Sequence, residues 1–176
     1  MSDAREKTSS AAELFQLCDE SGRPTGRAER GVCHADPRLI HMVVHLHVFD
    51  GSGRLYLQKR AAWKDACPGL WDTSVGGHVT AGESPGAALL REAREELDID
   101  AAAARFLFSY LHHGRMETEY AYVSALGWSG PVRPDPGEIE EGRFHTRAQI
   151  EDLLGRGILT PMFEKEWPML LPHWPA

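Results

Sequence analysis

Three glutamates close together in one segment are the residues whose type and spacing best suit chemistry. Glu92, Glu95 and Glu96 lie in Gly77–Ile99, which reads GHVTAGESPGAALLREAREELDI. Carboxylates on one face of a helix repel each other and destabilise it. Mg²⁺ relieves this repulsion because it takes carboxylate oxygens and keeps waters and substrate phosphates on its other positions. For the triplet alone, a solvated acidic face on an ordinary amphipathic helix is the default interpretation, and a Mg²⁺ site, with Mn²⁺ as an alternative ion, is the competing one.

A helix must position these carboxylates, and its boundaries are readable. Ser84 suits the N-cap and Pro85 the first helical position, where a missing N–H costs nothing. Asp98 falls at the C-cap, where it tolerates a left-handed backbone better than most residues. Arg91 is spaced to hold Glu95 at i,i+4. At 100° per residue the glutamates share one arc, which we expect to be exposed, and the apolar arc comprises Ala87, Leu89, Leu90, Ala93 and Leu97.

Composition indicates one soluble domain over residues 12–176, preceded by a flexible leader at residues 1–11. A formal charge of −7 argues against a general nucleic-acid binder. Three irregularly spaced cysteines predict no disulfide framework and favour a reducing compartment. With no apolar run long enough to span a bilayer, we expect a cytoplasmic protein with no membrane partner. The sequence does not indicate an oligomeric state.

The remaining elements alternate between strands and loops. The strand His41–Phe49 places Met42, Val44, Leu46 and Val48 on one face and three histidines on the other. Its apolar face should pack a core, whereas His45 and His47 either face a substrate or fill the sheet. We also expect strands at 13–17, 25–31, 54–60, 105–111 and 119–126, an entry segment at 70–75, a loop at 130–137, a helix at 147–154 capped by Thr146, and a tail at 160–176 packed on the core.

The segment around the glutamates resembles the Nudix box, G-x5-E-x7-R-E-U-x-E-E-x-G-U. The matching residues are Gly77, Glu83, Arg91, Glu92, Glu95, Glu96 and Ile99, whereas Asp98 replaces the second glycine and Ala93 is a small member of the aliphatic class. The resemblance implies an α+β fold, a Nudix-type α/β/α sandwich with a mixed sheet and the box helix on one face. It also implies metal-dependent hydrolysis of a diphosphate linkage, with the backbone of Gly76 and Gly77 close to metal or phosphate.

The chain from about Gly31 to Ala125 further resembles type 1 isopentenyl-diphosphate isomerase, a branch of the same superfamily. The matching motifs are His34 and His41 at H-x6-H, Arg60, Lys64 and Pro68–Trp71, Ser74–His78, and Glu117 and Glu119 at E-x-E. By this resemblance His34, His41, His78, Glu117 and Glu119 bind a second metal, and imidazole with carboxylate suits Zn²⁺ or Mn²⁺. It also implies that Arg60 and Lys64 contact the diphosphate.

The catalytic cysteine of that isomerase falls on Gly76, so we expect isomerase activity to be absent. Of three hypotheses, a Nudix pyrophosphohydrolase acting on a small-molecule diphosphate comes first. An isomerase-like enzyme and a non-catalytic module that binds nucleotide or diphosphate are the alternatives. Glu95 is the first candidate for the general base, with Glu119 and an acidic loop holding Glu138, Glu140 and Glu141 behind it. The box specifies only a diphosphate, so nucleotides, nucleotide sugars and isoprenoid diphosphates all fit it. Loops outside the box, such as Arg115–Met116 and 130–137, would select among these substrates.

Overall fold

The computed structural model describes residues 13–64, 66–114 and 116–175; the predicted leader at residues 1–11 and Arg115 lie outside the described residues. These residues form nine strands, four α-helices and a 3₁₀ turn, Leu171–His173. The elements are β1 (Leu14–Cys18), β2 (Pro24–Glu29), α1 (Arg30–Cys33), β3 (Ile40–Phe49), β4 (Leu55–Arg60), β5 (Trp71–Asp72), β6 (Val75–His78), α2 (Pro85–Leu97), β7 (Arg105–His113), β8 (Thr118–Gly127), β9 (Ile139–His145), α3 (Arg147–Glu151) and α4 (Pro161–Leu170).

The strand β3 is the centre of a mixed sheet. It pairs in parallel with β8 along its whole length, from Ile40 opposite Thr118 to Phe49 opposite Gly127. It pairs antiparallel with β6, β1 and β4, while β7 extends the sheet beyond β8 and β9 extends it beyond β4. The predicted mixed sheet is therefore confirmed, and residues far apart in sequence meet across β3.

Helices cover both faces of this sheet. Met42, Val44, Leu46 and Val48 of β3 pack in one buried cluster with apolar residues of α2. On the other face, Phe49 packs with Phe163, Trp167 and Leu170 of α4. The predicted division of β3 into two faces is correct, because successive side chains of a strand point to opposite sides. Within the described residues, none of the helices combines the length and apolar character that crossing a membrane requires.

The box helix α2 begins and ends as predicted but is rotated relative to our expectation. Ser84 Oγ accepts from the backbone N–H of Ala87 at 3.2 Å, and Asp98 adopts the left-handed conformation with φ 54°. Leu90, however, is 44% exposed, whereas Ala88 and Glu96 are buried. The expectation of an exposed acidic arc is thus wrong for Glu96. The side of α2 that faces the sheet lies between the apolar arc and the acidic arc, and Glu96 is on that side.

Two further segments differ from the sequence expectation. The acidic segment predicted as a loop begins β9, whose backbone pairs antiparallel with β4. The tail packs on the core as expected, but most of it is the helix α4, which sequence reasoning did not predict. Thr160 caps α4, with its Oγ1 accepting from Phe163 N at 3.2 Å, and Pro161 occupies the first turn. The helix at 147–154 is shorter, Arg147–Glu151, with the predicted Thr146 cap present.

Candidate metal and diphosphate site

Glu92 and Glu96 point from α2 toward the sheet and are nearly enclosed, whereas Glu95 is 43% exposed. Glu96 Oε2 accepts from Gln58 Nε2 at 3.0 Å and from the backbone N–H of Gly76 at 3.3 Å. Burial, and then the charge of Glu92, raises the pKa of Glu96 to about 8. Burial likewise raises the pKa of Glu92 to about 7. Both carboxyls therefore lack the solvation that an ionised form needs, and a bound cation would supply it.

The glycines of β6 lie directly against these carboxylates. A Cβ atom at Gly77 would overlap with Cγ and Cδ of Glu92, so only glycine fits there without displacing the glutamate. The neighbouring Gly76 has room for a Cβ atom, which would lie 3.6 Å from Thr73 Cγ2. The structure thus brings the backbone of β6 and two glutamates of α2 together, while the approach of Gly76 and Gly77 to metal or phosphate stays a prediction.

Arg91 fixes this arrangement from the side. Its Nη1 lies 2.6 Å from Glu92 Oε1, and its Nη2 lies 2.9 Å from Glu83 Oε2. The same Nη2 donates to the carbonyl oxygen of His78 at 3.0 Å. The predicted i,i+4 pair with Glu95 is present but is the longest of these contacts, at 3.7 Å. The planar guanidinium therefore ties α2 to the end of β6.

A second cluster gathers residues from four parts of the chain. Its members are His34 at the end of α1, His41 on β3, His78 on β6, and Glu117 and Glu119 at the start of β8. The parallel register places His41 opposite Glu119. Nε2 of His34 lies 3.1 Å, and Nε2 of His41 3.6 Å, from Glu117 Oε2. Two sets of three residues each place one ligand atom per residue within 4.8 Å of the others in the same set. One set is His34, His41 and His78, and the other is His41, Glu117 and Glu119.

The chemistry of this cluster fits a metal. His41 is fully buried, and among the described residues neither of its ring nitrogens has a hydrogen-bond partner. Burial lowers the pKa of His41 to about 3, so the ring is neutral and offers a lone pair. Burial also raises the pKa of Glu119 to about 8. A buried polar atom without a partner costs free energy, and a cation bound by these atoms would remove that cost.

The two basic residues predicted to contact diphosphate both have carboxylate partners. Arg60 Nη1 lies 3.4 Å from Asp72 Oδ2, and its Nε donates to the carbonyl of Ala66 at 3.0 Å. Lys64 Nζ forms an ion pair with Glu138. The charge of Lys64 also acts to lower the pKa of Glu96, against the effect of burial. Lys64 thus belongs to the electrostatic surroundings of the acidic helix.

Sequence reasoning missed Glu166 on α4, which is fully buried beneath β3. Glu166 Oε2 lies 2.9 Å from His47 Nε2, while Oε1 contacts His45 Nδ1 and accepts from Tyr110 OH at 2.7 Å. One signal for it existed, since Phe163, Trp167 and Leu170 follow helical spacing and Glu166 adjoins their arc. Of the two possibilities left open for His45 and His47, facing a substrate or filling the sheet, His47 therefore takes the second.

Comparison with known proteins identifies the class to which this fold and these clusters belong. The NUDIX domain family matches residues 39–164, so the chain belongs to the NUDIX family. An isopentenyl-diphosphate Delta-isomerase of Streptomyces avermitilis is 34% identical over 147 residues, 80% of this chain and 75% of the relative. An uncharacterized Nudix hydrolase of Streptomyces coelicolor is 36% identical over 155 residues, 87% of this chain and 85% of the relative. The crystal structure of DR0079 from Deinococcus radiodurans superposes with a TM-score of 0.74 at 25% identity, covering 93% of this chain and all of that one.

Proposed function

We propose that this chain hydrolyses a diphosphate linkage in a nucleotide-type or other organic diphosphate, with Mg²⁺ as the metal and Mn²⁺ as a substitute. The observation that carries the proposal is the placement of the buried Glu96 and the nearly enclosed Glu92 against the glycine backbone of β6. Enclosing two neighbouring carboxylates is unfavourable unless cations compensate them, and Arg91 compensates only Glu92. A protein that only bound a diphosphate would have no need of this arrangement.

Glu92, Glu95 and Glu96 would hold the metal, which supplies charge neutralisation at the phosphates and a lowered pKa for water. Arg91 holds Glu92 in place, since their side chains are 2.6 Å apart. Positioning and charge stabilisation make up most of phosphoryl-transfer catalysis, and Arg60 and Lys64 would provide them on the substrate side. Gly76 and Gly77 allow the diphosphate to approach the backbone closely.

Glu95 remains our first candidate for the general base. It is the most exposed of the three helix glutamates, at 43%, so water reaches it. The acidic residues at the start of β9 suit the role less well, because Glu138 pairs with Lys64 and Glu140 with Lys59 at 2.7 Å. Glu119 belongs to the histidine cluster, where we propose a second divalent metal, Zn²⁺ or Mn²⁺, bound by His34, His41, His78, Glu117 and Glu119.

The test is a phosphate-release screen over nucleotides, nucleotide sugars and isoprenoid diphosphates with Mg²⁺ or Mn²⁺, coupled to a phosphatase. We expect metal-dependent release from one class of substrate. Hydrolysis in ¹⁸O-labelled water then shows which phosphorus atom is attacked, because the label enters only that product. A folded, metal-loaded protein that releases no phosphate from any of these substrates would contradict the proposal.

Isomerisation of isopentenyl diphosphate is the second candidate, favoured by the names of relatives and by the histidine–glutamate cluster. Against it, Gly76 stands where the isomerase pattern has its thiol, so no group at that position can exchange a proton with the alkene. Proton NMR of isopentenyl diphosphate separates the two activities, since dimethylallyl diphosphate has distinct methyl signals. The Gly76→Cys variant should fold, because a Cβ atom there makes only ordinary contacts.

A further inference from the structure

His45 and His47 differ in how their ring nitrogens are used. Both rings contact Glu166, His45 through Nδ1 and His47 through Nε2. The other nitrogen of His47 lies 3.3 Å from Thr73 Oγ1, so His47 is a satisfied histidine of the core. Within the part of the chain that the structure describes, the hydrogen bond recorded for His45 runs through Nδ1 and leaves its Nε2 to other contacts. The question is therefore what this second nitrogen faces.

His45 Nε2 faces Gly76. The antiparallel register places His45 opposite Gly76, and a Cβ atom on this glycine would lie 3.7 Å from His45 Cδ2 and 3.9 Å from Nε2. Because Gly76 has no side chain, this residue does not cover the edge of the imidazole, and His45 keeps 7% of its surface exposed. The backbone N–H of the same glycine donates to Glu96 Oε2. Gly76 therefore lies between His45 on the sheet and Glu96 on α2.

We propose that His45 contacts the substrate, donating a hydrogen bond from Nε2 to an oxygen of the diphosphate bound beside Gly76, and that Glu166 is the residue that positions it. This inference rests on the proposed function, because it concerns the same substrate site. It adds a contact from the sheet, opposite the carboxylates of α2. It also explains why Gly76 suits this chain, since a larger side chain would cover the donor.

The charge of the group fits the role. Burial alone would lower the pKa of His45, but the carboxylate of Glu166 outweighs burial and raises it to about 9. Although burial acts to raise the pKa of Glu166, the adjacent His45 lowers it well below the usual value. The pair is thus an imidazolium and a carboxylate at neutral pH, with Tyr110 as a further donor to Glu166. A charged donor makes a stronger bond to a phosphate oxygen than a neutral one.

The first test compares steady-state kinetics of His45→Gln and Glu166→Gln with the wild type. Gln at position 45 keeps a neutral donor and loses the charge, so we expect kcat/KM to fall about 10- to 100-fold, the range for one charge-assisted hydrogen bond. The fall should be mostly in KM if the contact forms already in the ground state. His145→Gln is the matched control, because His145 is another buried strand histidine and bonds the carbonyl of Arg143 at 3.1 Å.

A pH profile separates positioning from a merely structural role. Other ionisable groups that influence His45 or its partner are Tyr110, Asp72, Glu119 and His112, and both variants leave them unchanged. In the wild type, kcat/KM should fall as pH rises through about 9, where His45 loses its proton. In Glu166→Gln this fall should move to lower pH, because the imidazolium has lost its counter-charge. An unshifted profile would overturn the positioning role of Glu166.

The second test does not depend on turnover. ¹⁵N-labelled histidine spectra of the full chain are recorded with Mg²⁺ and increasing methylenediphosphonate, a diphosphate that cannot be hydrolysed. We expect the Nε2 signal of His45 to shift and that of His47 to stay. Gly76→Ala should weaken this shift without unfolding the protein, since its Cβ meets only ordinary contacts.

The two readouts distinguish the inference from the function on which it rests. A shift of His45 Nε2 in a protein that hydrolyses nothing supports the contact and rejects the hydrolase. Hydrolysis with unchanged kinetics in His45→Gln, and no shift of Nε2, supports the hydrolase and overturns the contact. Absence of both hydrolysis and a shift overturns both.

Discussion

The two ligand clusters of this protein differ in origin and in donor chemistry. The acidic helix provides three carboxylates from five consecutive residues, each offering only oxygen. The histidine–glutamate cluster takes imidazole and carboxylate from four separate parts of the chain. Within the described residues, both sets of three potential metal ligands with atoms within 4.8 Å of each other come from the histidine–glutamate cluster. The second cluster is already arranged for an ion, whereas Glu92 and Glu96 of the helix are bonded to Arg91, Gln58 and Gly76.

This difference separates two roles that a metal takes. A preformed nitrogen and oxygen set suits a tightly bound transition metal. Oxygen ligands that must draw together suit Mg²⁺, which keeps several waters and completes its shell with substrate phosphates. We therefore expect the histidine–glutamate metal to copurify with the protein and the helix metal to exchange during turnover. Arg91 links the two, since it bonds both Glu92 and the carbonyl of His78.

The largest expected effect comes from Glu96→Gln. We expect turnover to fall at least about 10²- to 10³-fold, the cost of removing one strong electrostatic contact from an active site. The amide keeps the volume and an acceptor for Gln58, and it stays uncharged at every pH, whereas Glu96 ionises above a pKa of about 8. The melting temperature without metal should therefore stay the same or rise.

Steady-state assays and thermal denaturation check both halves of this expectation. Glu151→Gln is the control, because Glu151 is exposed on α3 and pairs only with Arg147 in the described structure. Undiminished turnover in Glu96→Gln would show that the acidic helix is not the catalytic platform.

His41→Gln should remove the preformed site and leave the helix site. His41 is the ligand shared by both sets of three. Loss of an outer-shell partner already costs about 10- to 100-fold in metal affinity, so loss of this ligand should cost more. Metal analysis of the purified protein should show lost Zn²⁺ or Mn²⁺, with the Mg²⁺ concentration for half-maximal turnover unchanged. A shift in that Mg²⁺ midpoint would instead show that the two clusters act as one, and His145→Gln controls for loss of a buried histidine.

Arg91→Lys sharpens the comparison at the residue that joins the clusters. Lysine keeps the charge but cannot bond Glu83, Glu92 and the carbonyl of His78 together. We expect a smaller loss than in Glu96→Gln, roughly tenfold in turnover if one charged hydrogen bond is lost. The melting temperature should also fall, because α2 loses its tie to β6. If Arg91→Lys kept both the wild-type turnover and the wild-type melting temperature, the positive charge alone, and not the planar guanidinium, would hold Glu92.

Much of this site could be predicted because its parts are local or repeat with a simple period. The caps of α2 depend on Ser84 and Asp98 alone, and the faces of β3 follow strict alternation. The two motifs of the histidine–glutamate cluster also carry their own spacing. The structure gathers these five residues, while their role as ligands stays a prediction.

What could not be predicted depends on contacts between distant elements. Periodicity orders the residues of α2 around its axis but does not say which side meets the sheet, so Glu96 was wrongly expected to be exposed. The helix α4 was missed because Pro168 lies inside it and prolines usually mark loops. With α4 missed, nothing in the sequence paired Glu166 with His45, 121 residues away.

The pH dependence of stability provides the smallest but most general test of the comparison. Burial raises the pKa of Glu92, Glu96 and Glu119 to about 7, 8 and 8, and Glu166 raises that of His45 to about 9. Above pH 6.5 each group binds more protons in the folded than in the unfolded chain, so the free energy of unfolding should fall as pH rises from 6.5 to 9. Histidines with lowered pKa, such as His41, act only below this range.

Denaturant unfolding of the metal-free protein across these pH values measures the slope. Zn²⁺ bound at the histidine–glutamate cluster should remove the contribution of Glu119 to this pH slope. Glu96→Gln should remove the contribution of Glu96, even without metal. The two reductions should add, because residues without shared partners contribute independently. If Glu96→Gln instead abolishes the effect of Zn²⁺, the two clusters share one ion and the division between a resident and an exchanging metal is wrong.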